Sequence, residues 1–175
     1  EEFEATLREI APDVCVVVAY GKILPESILN IPKFGCVNVH ASILPLYRGS
    51  APIQWCIVNG DKESGVTTML MDKGMDTGDM LDVIKTDIPE SMTGGELHDV
   101  LASLGAKIIN KTLSSLEDGT AKPIKQDHEK ATYVKMLSKA DGAIDFTKSA
   151  KEVADLIRGF DPWPTAHLQL ENKVY

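Results

Sequence analysis

Val37-Asn38-Val39-His40-Ala41-Ser42-Ile43-Leu44-Pro45-Leu46-Tyr47-Arg48-Gly49 is the stretch that decides the fold. Cys36 to Val39 reads as a short buried strand, and the chain leaves it as a loop rich in polar groups. In open α/β sheets ligands sit beyond the carboxyl ends of the strands, so this strand end is where a site is sought. Upstream, Val14 to Ala19 is a continuous apolar, β-branched run, read as a strand buried on both faces. Tyr20 to Pro25 then forms a loop, and a short helix runs to about Leu29. Glu1 to Ile10 reads as the end of a helix, with Phe3, Leu7 and Ile10 at helical spacing. Downstream, Ala51 to Val58 is helical with Pro52 in its first turn. Val66 to Met71 is a third strand, and Met80 to Ile88 a fourth, alternating one. Thr93 to Leu116 is the longest helix: Thr93 and Glu96 have capping-box spacing, and Asp118-Gly119 ends it. A last helix spans about Ala150 to Arg158 until Pro162-Trp163-Pro164, and His167 to Leu170 alternates like a strand. Strands alternating with helices predict an α/β fold with a mostly parallel sheet and flanking helices.

Composition narrows the class. The chain has 175 residues, 43% hydrophobic and 25% charged, which excludes a disordered polymer. Eighteen Lys and Arg against 26 Asp and Glu give a net charge of −8. That balance argues against a broad basic face for nucleic acid. The acidity is local: residues 61 to 100 hold ten acids against three Lys, whereas 122 to 151 carry seven Lys against four acids. Cys15, Cys36 and Cys56 sit among apolar residues and form no C-x-x-C, which predicts reduced, buried thiols in a cytoplasmic protein. No apolar run approaches the roughly 18 residues of a membrane span, and no signal peptide opens the chain, so no membrane partner is expected.

Three loops follow the first three strands on one expected sheet edge: Tyr20 to Pro25, Asn38 to Gly49, and Asp72 to Asp79. Asn38 and His40 are two apart, so strand periodicity puts both side chains on one face. An amide donor beside an imidazole suits a carbonyl oxygen that becomes an oxyanion. Asp76 stands in a glycine-flanked turn free to bend toward them, where a carboxylate would orient the His40 ring and favour its imidazolium form. Turn and cap chemistry is the simpler reading of Asp76 and Asp79. Asp72, Asp76 and Asp79 lack the spacing of a calcium loop, so no metal is expected. His98, His128 and His167 read as surface or satisfied histidines. Met69, Met71, Met75 and Met80 read as packing residues. Ser42 lacks the G-x-S-x-G elbow of a hydrolase nucleophile.

Val37 to Pro45 followed by Tyr47-Arg48-Gly49, with Asp76-Thr77-Gly78-Asp79 placed 36 residues after His40, resembles the signature of the folate-dependent formyltransferases. Arg48 to Gln54, Gly65 to Met69, Gly119 to Pro123 and Phe160 to Pro164 are similar to the branch of that family acting on methionyl-tRNA. The resemblance implies a Rossmann-like formyltransferase fold. It implies 10-formyltetrahydrofolate as co-substrate and the amine of initiator methionyl-tRNA as acceptor. Asn38 and His40 would stabilise the oxyanion, and Asp76 would hold His40 protonated and move the amine proton. Ser42, Ile43, Leu44 and Pro45 would lie against the folate, and Tyr20, Lys22, Ile23, Leu24 and the backbone around Asp72 would cover its pterin. Another acceptor, such as an amino sugar nucleotide, glycinamide ribonucleotide or water, fits the same trio, as does a fragment that binds folate without turnover. The family pattern divides the chain into a catalytic core over 1–120, expected to lack its first strands, and a stretch over 121–175 leading toward a C-terminal β-barrel. A monomer is expected. Position 46 is Leu where the family often has a basic residue.

Overall fold

The computed structural model describes residues 2–171 and 173–175. Helix α1 (Glu2–Ile10) leads into strand β1 (Cys15–Val17), the short helix α2 (Glu26–Leu29) and strand β2 (Cys36–His40). A two-residue strand β3 (Arg48–Gly49) precedes helix α3 (Pro52–Val58), and strands β4 (Glu63–Leu70) and β5 (Met80–Asp87) form the long hairpin of the fold. Helix α4 (Gly94–Glu117), strand β6 (Tyr133–Val134), helix α5 (Ala150–Gly159) and the small hairpin β7 (Gln169–Leu170) and β8 (Lys173–Val174) complete it.

The main sheet has the order β1-β2-β4-β5. The α/β architecture with flanking helices is as expected, but the sheet is mixed rather than mostly parallel. β1 pairs with β2 in parallel, while β2 with β4 and β4 with β5 are antiparallel. The reason lies in the connections. A parallel pair needs a crossover of about a dozen residues or more. β4 and β5 are joined by the short turn over 71–79, which returns the chain directly. β1 also differs from expectation. It is shorter than Val14 to Ala19 and not buried on both faces: Val16 and Val18 are exposed. Its only sheet partner among the described residues is β2, so it stands at an edge.

α4 lies across the sheet because its apolar stripe demands it. Leu97, Leu101 and Ile108, spaced at helical intervals, close onto Val66 of β4 together with Cys56, Ile57 and Ile88. Each such side chain contributes about 1.5–3 kcal/mol by leaving water. Gly105 lets the helix approach β2, since a Cβ there would stand 3.2 Å from Val39 Cγ1. One polar cross-link runs through this layer. The Thr68 and Thr112 hydroxyls are 2.8 Å apart, and Thr112 donates to Asp82 Oδ2 at 2.8 Å. α4 begins in the expected capping box, with Glu96 N–H donating to Thr93 Oγ1 and Thr93 N–H to the Glu96 carboxylate. A second cluster of Ala51, Leu137 and Phe160 packs α3 against α5. Cys36 and Cys56 are buried and unpaired; Cys15 is only half-buried. Burial pushes both buried thiols up to about 11.

Candidate active site

β2 delivers Asn38 and His40 to the same side of the sheet, and the β4–β5 turn brings Asp76 to meet them. Asn38 Nδ2 is 3.4 Å from Asp76 Oδ1. His40 Nδ1 is 3.8 Å from Asp76 Oδ2, and both side chains are largely enclosed. The second imidazole nitrogen, Nε2, lies 2.9 Å from the Tyr47 carbonyl oxygen. A carbonyl only accepts, so Nε2 carries a hydrogen and Nδ1 is left facing the carboxylate. The Gly49 backbone N–H donates to Asp76 Oδ2 at 2.8 Å. One carboxylate is thus aimed by an amide, an imidazole and a main-chain donor.

The turn that carries Asp76 is tightly specified. Asp76 adopts a left-handed conformation with φ 54°, a region that non-glycine residues enter at a cost and that concentrates at functional sites. Asp72 builds the turn: its Oδ1 accepts from the Gly74 N–H at 2.9 Å and the Thr77 hydroxyl at 2.6 Å. Gly78 has no room for a side chain, because a Cβ would run into the Leu70 carbonyl. Tyr47 is also left-handed, with φ 58°. Its hydroxyl donates to Asp61 Oδ2 at 2.7 Å and accepts from Asn59 Nδ2 at 3.2 Å. Burial, chiefly, raises that phenol above its ordinary range.

Beside this carboxylate opens a cleft of about 810 Å³ lined by Val16 to Leu24, Asn38, His40, Asp72, Met75 and Asp76, with a far wall from α4 that includes Ala102 and Gly105. The size suits a small-molecule ligand. The expected contacts divide here. Tyr20, Lys22, Ile23, Leu24 and Asp72 all line the cleft with the trio. Tyr20 and Ile23 are exposed to it, whereas Leu24 is buried in the small cluster beneath β1. Ser42, Ile43, Leu44 and Pro45 are not among its walls. They form a turn pinned to β4. Ser42 Oγ donates to the Leu46 carbonyl at 2.6 Å, Thr67 Oγ1 donates to the Ser42 carbonyl at 2.7 Å, and the Leu44 N–H donates to Thr67 Oγ1 at 3.1 Å. Met69 packs in the core as expected, but Met75 is half exposed at the cleft. His98 is exposed beside Asp99. No group of His, Cys, Asp and Glu suited to a metal ion occurs among the described residues.

Several contributors carried no signal in the sequence. The Tyr47 carbonyl and the Gly49 N–H are main-chain groups, present at every residue. Arg48 was visible only as part of a motif, yet it is fully buried beneath the site. Gln126 lies in the polar stretch after α4, and its contact with Asp76 spans 50 residues of sequence.

Residues 1–113 match the family model described as formyl transferase, and residues 136–175 match that of the formyl transferase C-terminal domain. The chain belongs to the formyl transferase family. A methionyl-tRNA formyltransferase of Acetivibrio thermocellus is 56% identical over 165 residues, covering 94% of this chain and 53% of the relative. One from Clostridium novyi is 52% identical over 173 residues, covering 99% of this chain and 56% of the relative. The chain therefore spans about half the length of the curated relatives it matches. Among solved structures, an N-formyltransferase from Helicobacter canadensis in complex with folinic acid and dTDP-3-aminofucose superposes with TM-score 0.69 at 27% identity, covering 77% of this chain and 51% of that one. HypX from Aquifex aeolicus, in complex with tetrahydrofolic acid, superposes with TM-score 0.83 at 16% identity over 99% of this chain and 30% of that one, a likeness of fold. No helix among the described residues is long and apolar enough to cross a membrane.

Proposed function

We propose that this chain carries the catalytic centre of a cytoplasmic enzyme, acting as a monomer, that moves a formyl group from 10-formyltetrahydrofolate to the amine of initiator methionyl-tRNA for translation initiation. The observation that carries the reading is the convergence of Asn38, His40 and Asp76 on one cleft, with Asp76 Oδ1 3.4 Å from the Asn38 amide and Oδ2 3.8 Å from the His40 ring. Relatives at 56% and 52% identity bearing the name methionyl-tRNA formyltransferase support the acceptor. The cleft fits the donor in kind: it is large enough for a folate head and lined mainly by apolar side chains, with polar groups gathered at the trio.

The chemistry follows from what each residue offers. The acceptor amine forms a new C–N bond to the formyl carbon, and the carbonyl oxygen takes the displaced electron pair. Asn38 donates to that oxygen through its amide, and His40 through a protonated ring. Asp76 is the acid-base group: it takes the proton that the amine sheds, directly or through water. The oxyanion then collapses, the bond to the folate nitrogen breaks, and that nitrogen is protonated as tetrahydrofolate leaves. No side chain forms a covalent bond to the formyl group.

The Helicobacter canadensis complex, which holds dTDP-3-aminofucose, favours an amino sugar nucleotide as the second reading. Single-turnover transfer by the full chain separates them. The expected result is formyl transfer from 10-formyltetrahydrofolate to methionyl-tRNA, with no transfer to a dTDP-amino sugar or glycinamide ribonucleotide and no formate release in their absence. Turnover of the sugar nucleotide alone overturns the assignment. Formate release without acceptor makes it a hydrolase, and folate binding without transfer reduces it to a binding fragment.

A further inference from the structure

We propose that Gln126 is a positioning residue that sets the orientation of the Asp76 carboxylate, an inference that rests on the role given to Asp76 above. Gln126 is buried, 4% exposed, and it uses its whole hydrogen-bonding capacity. Its Nε2 donates to the Asp76 carbonyl at 2.9 Å and to the Gly78 carbonyl at 2.7 Å. Its Oε1 accepts from Arg48 Nε at 3.1 Å and from Arg48 Nη2 at 2.7 Å. The two ends of the amide are not interchangeable. A guanidinium only donates and a carbonyl only accepts, so the oxygen must face Arg48 and the nitrogen must face the turn.

What this amide holds is the conformation that needs holding. Asp76 sits in the left-handed region at φ 54°, and such residues persist where the surroundings over-determine them. Asp72 fixes the turn from within. Gln126 fixes it from below, gripping the carbonyls of Asp76 itself and of Gly78. The anchor is Arg48, which is 1% exposed and also donates to the Tyr133 hydroxyl at 2.8 Å and lies 3.2 Å from His128 Nδ1. These acceptors are neutral, so Arg48 offers the Gln126 oxygen a full charge. Arg48 immediately precedes Gly49, whose N–H binds Asp76 Oδ2. Gln126 thereby ties the main chain that carries the carboxylate to the main chain that receives it.

The test is Gln126→Glu in the full chain. A carboxylate keeps both bonds to Arg48 and adds an opposite charge, so the fold is held. Its other oxygen then confronts two carbonyl oxygens, and the turn is pushed away. The expected result is an unchanged or raised Tm and a kcat lower by about tenfold to a hundredfold, with KM for the folate within about twofold. The deficit shrinks as pH falls, because the protonated acid again donates to one carbonyl. A structural role alone would make kcat follow Tm and leave the deficit flat with pH. Hydrogen exchange in the wild-type chain judges the inference without any variant or assay. The Gln126 side-chain amide protons and the Gly74 main-chain amide, bonded to Asp72 within the turn, are expected to exchange slowly. In Gln126→Glu the Gly74 amide exchanges faster while those of α4 do not change. Gln126 protons exchanging as fast as those of an exposed glutamine, or a Gln126→Glu chain with wild-type kcat, would overturn it. A wild-type chain that transfers no formyl group refutes the functional reading instead, and the exchange data still decide the role of Gln126.

Discussion

Asp76 concentrates three costs in one residue: a left-handed backbone, a largely enclosed carboxylate, and a neighbouring imidazole that it approaches without a hydrogen bond. Asn also tolerates the left-handed region, so Asp76→Asn removes the charge while leaving the turn in place. The expected outcome is a loss of about 10²- to 10³-fold in kcat, the scale of removing one preorganised electrostatic group, with folate affinity within about twofold by equilibrium titration. His40→Ala should lose turnover on the same scale. In the proposed mechanism these groups act on charge that develops in the transition state, so kcat and kcat/KM are expected to fall together. Near-normal turnover in either variant would remove that residue from the mechanism. The residue types of the site were legible because strand periodicity puts Asn38 and His40 on one face and glycines flank Asp76. The rest of the site was not, since the Tyr47 carbonyl and the Gly49 N–H are main-chain atoms and Gln126 arrives from 50 residues away.

At the scale of elements, local chemistry was read well and long-range pairing was not. The α4 start was visible because a capping box is a contact between residues three apart, and Thr93 and Glu96 make it. Thr93→Ala should cost about 1 kcal/mol, measured as a lower urea midpoint at unchanged m-value, with little effect on transfer because α4 begins away from the trio. The direction of β5 against β4 could not be read the same way. An apolar run is equally compatible with either pairing, and the antiparallel return is set by the turn that Asp72 and Gly78 build. The same turn explains why the misread sheet still gave a usable site. It carries Asp76 back past the end of β2, where a helical crossover would have carried it away. The Ser42 to Pro45 segment shows what sequence leaves unread: its shape is set by hydrogen bonds to Thr67 and Leu46 that its residue types do not announce.

Across the whole molecule the net charge is −8, and part of the charge is engaged in local ion pairs and caps. The basic stretch after α4 is held this way: Lys130 pairs with Asp127, Lys135 with Asp141, and Lys151 with Asp155. Asp141 is the strongest case. The Lys135 ammonium, then the Ser138 hydroxyl and N–H, hold its carboxyl down to about 2 from 3.8. A carboxyl whose folded value lies below its unfolded one binds fewer protons when folded, so it stabilises the fold at neutral pH. That contribution is complete above the unfolded value and is lost as pH falls from about 4 through about 2. Asp127, Asp145, Glu152 and Asp155 are shifted the same way, so acid should weaken the region after α4. Asp141→Asn isolates one member. Its Tm should lie below that of the wild type by a constant amount from neutral pH down to about 5, and the gap should close between about 4 and 2. A gap that persists unchanged at pH 2 would mean that Asp141 acts through its shape in the turn, with no contribution from its charge.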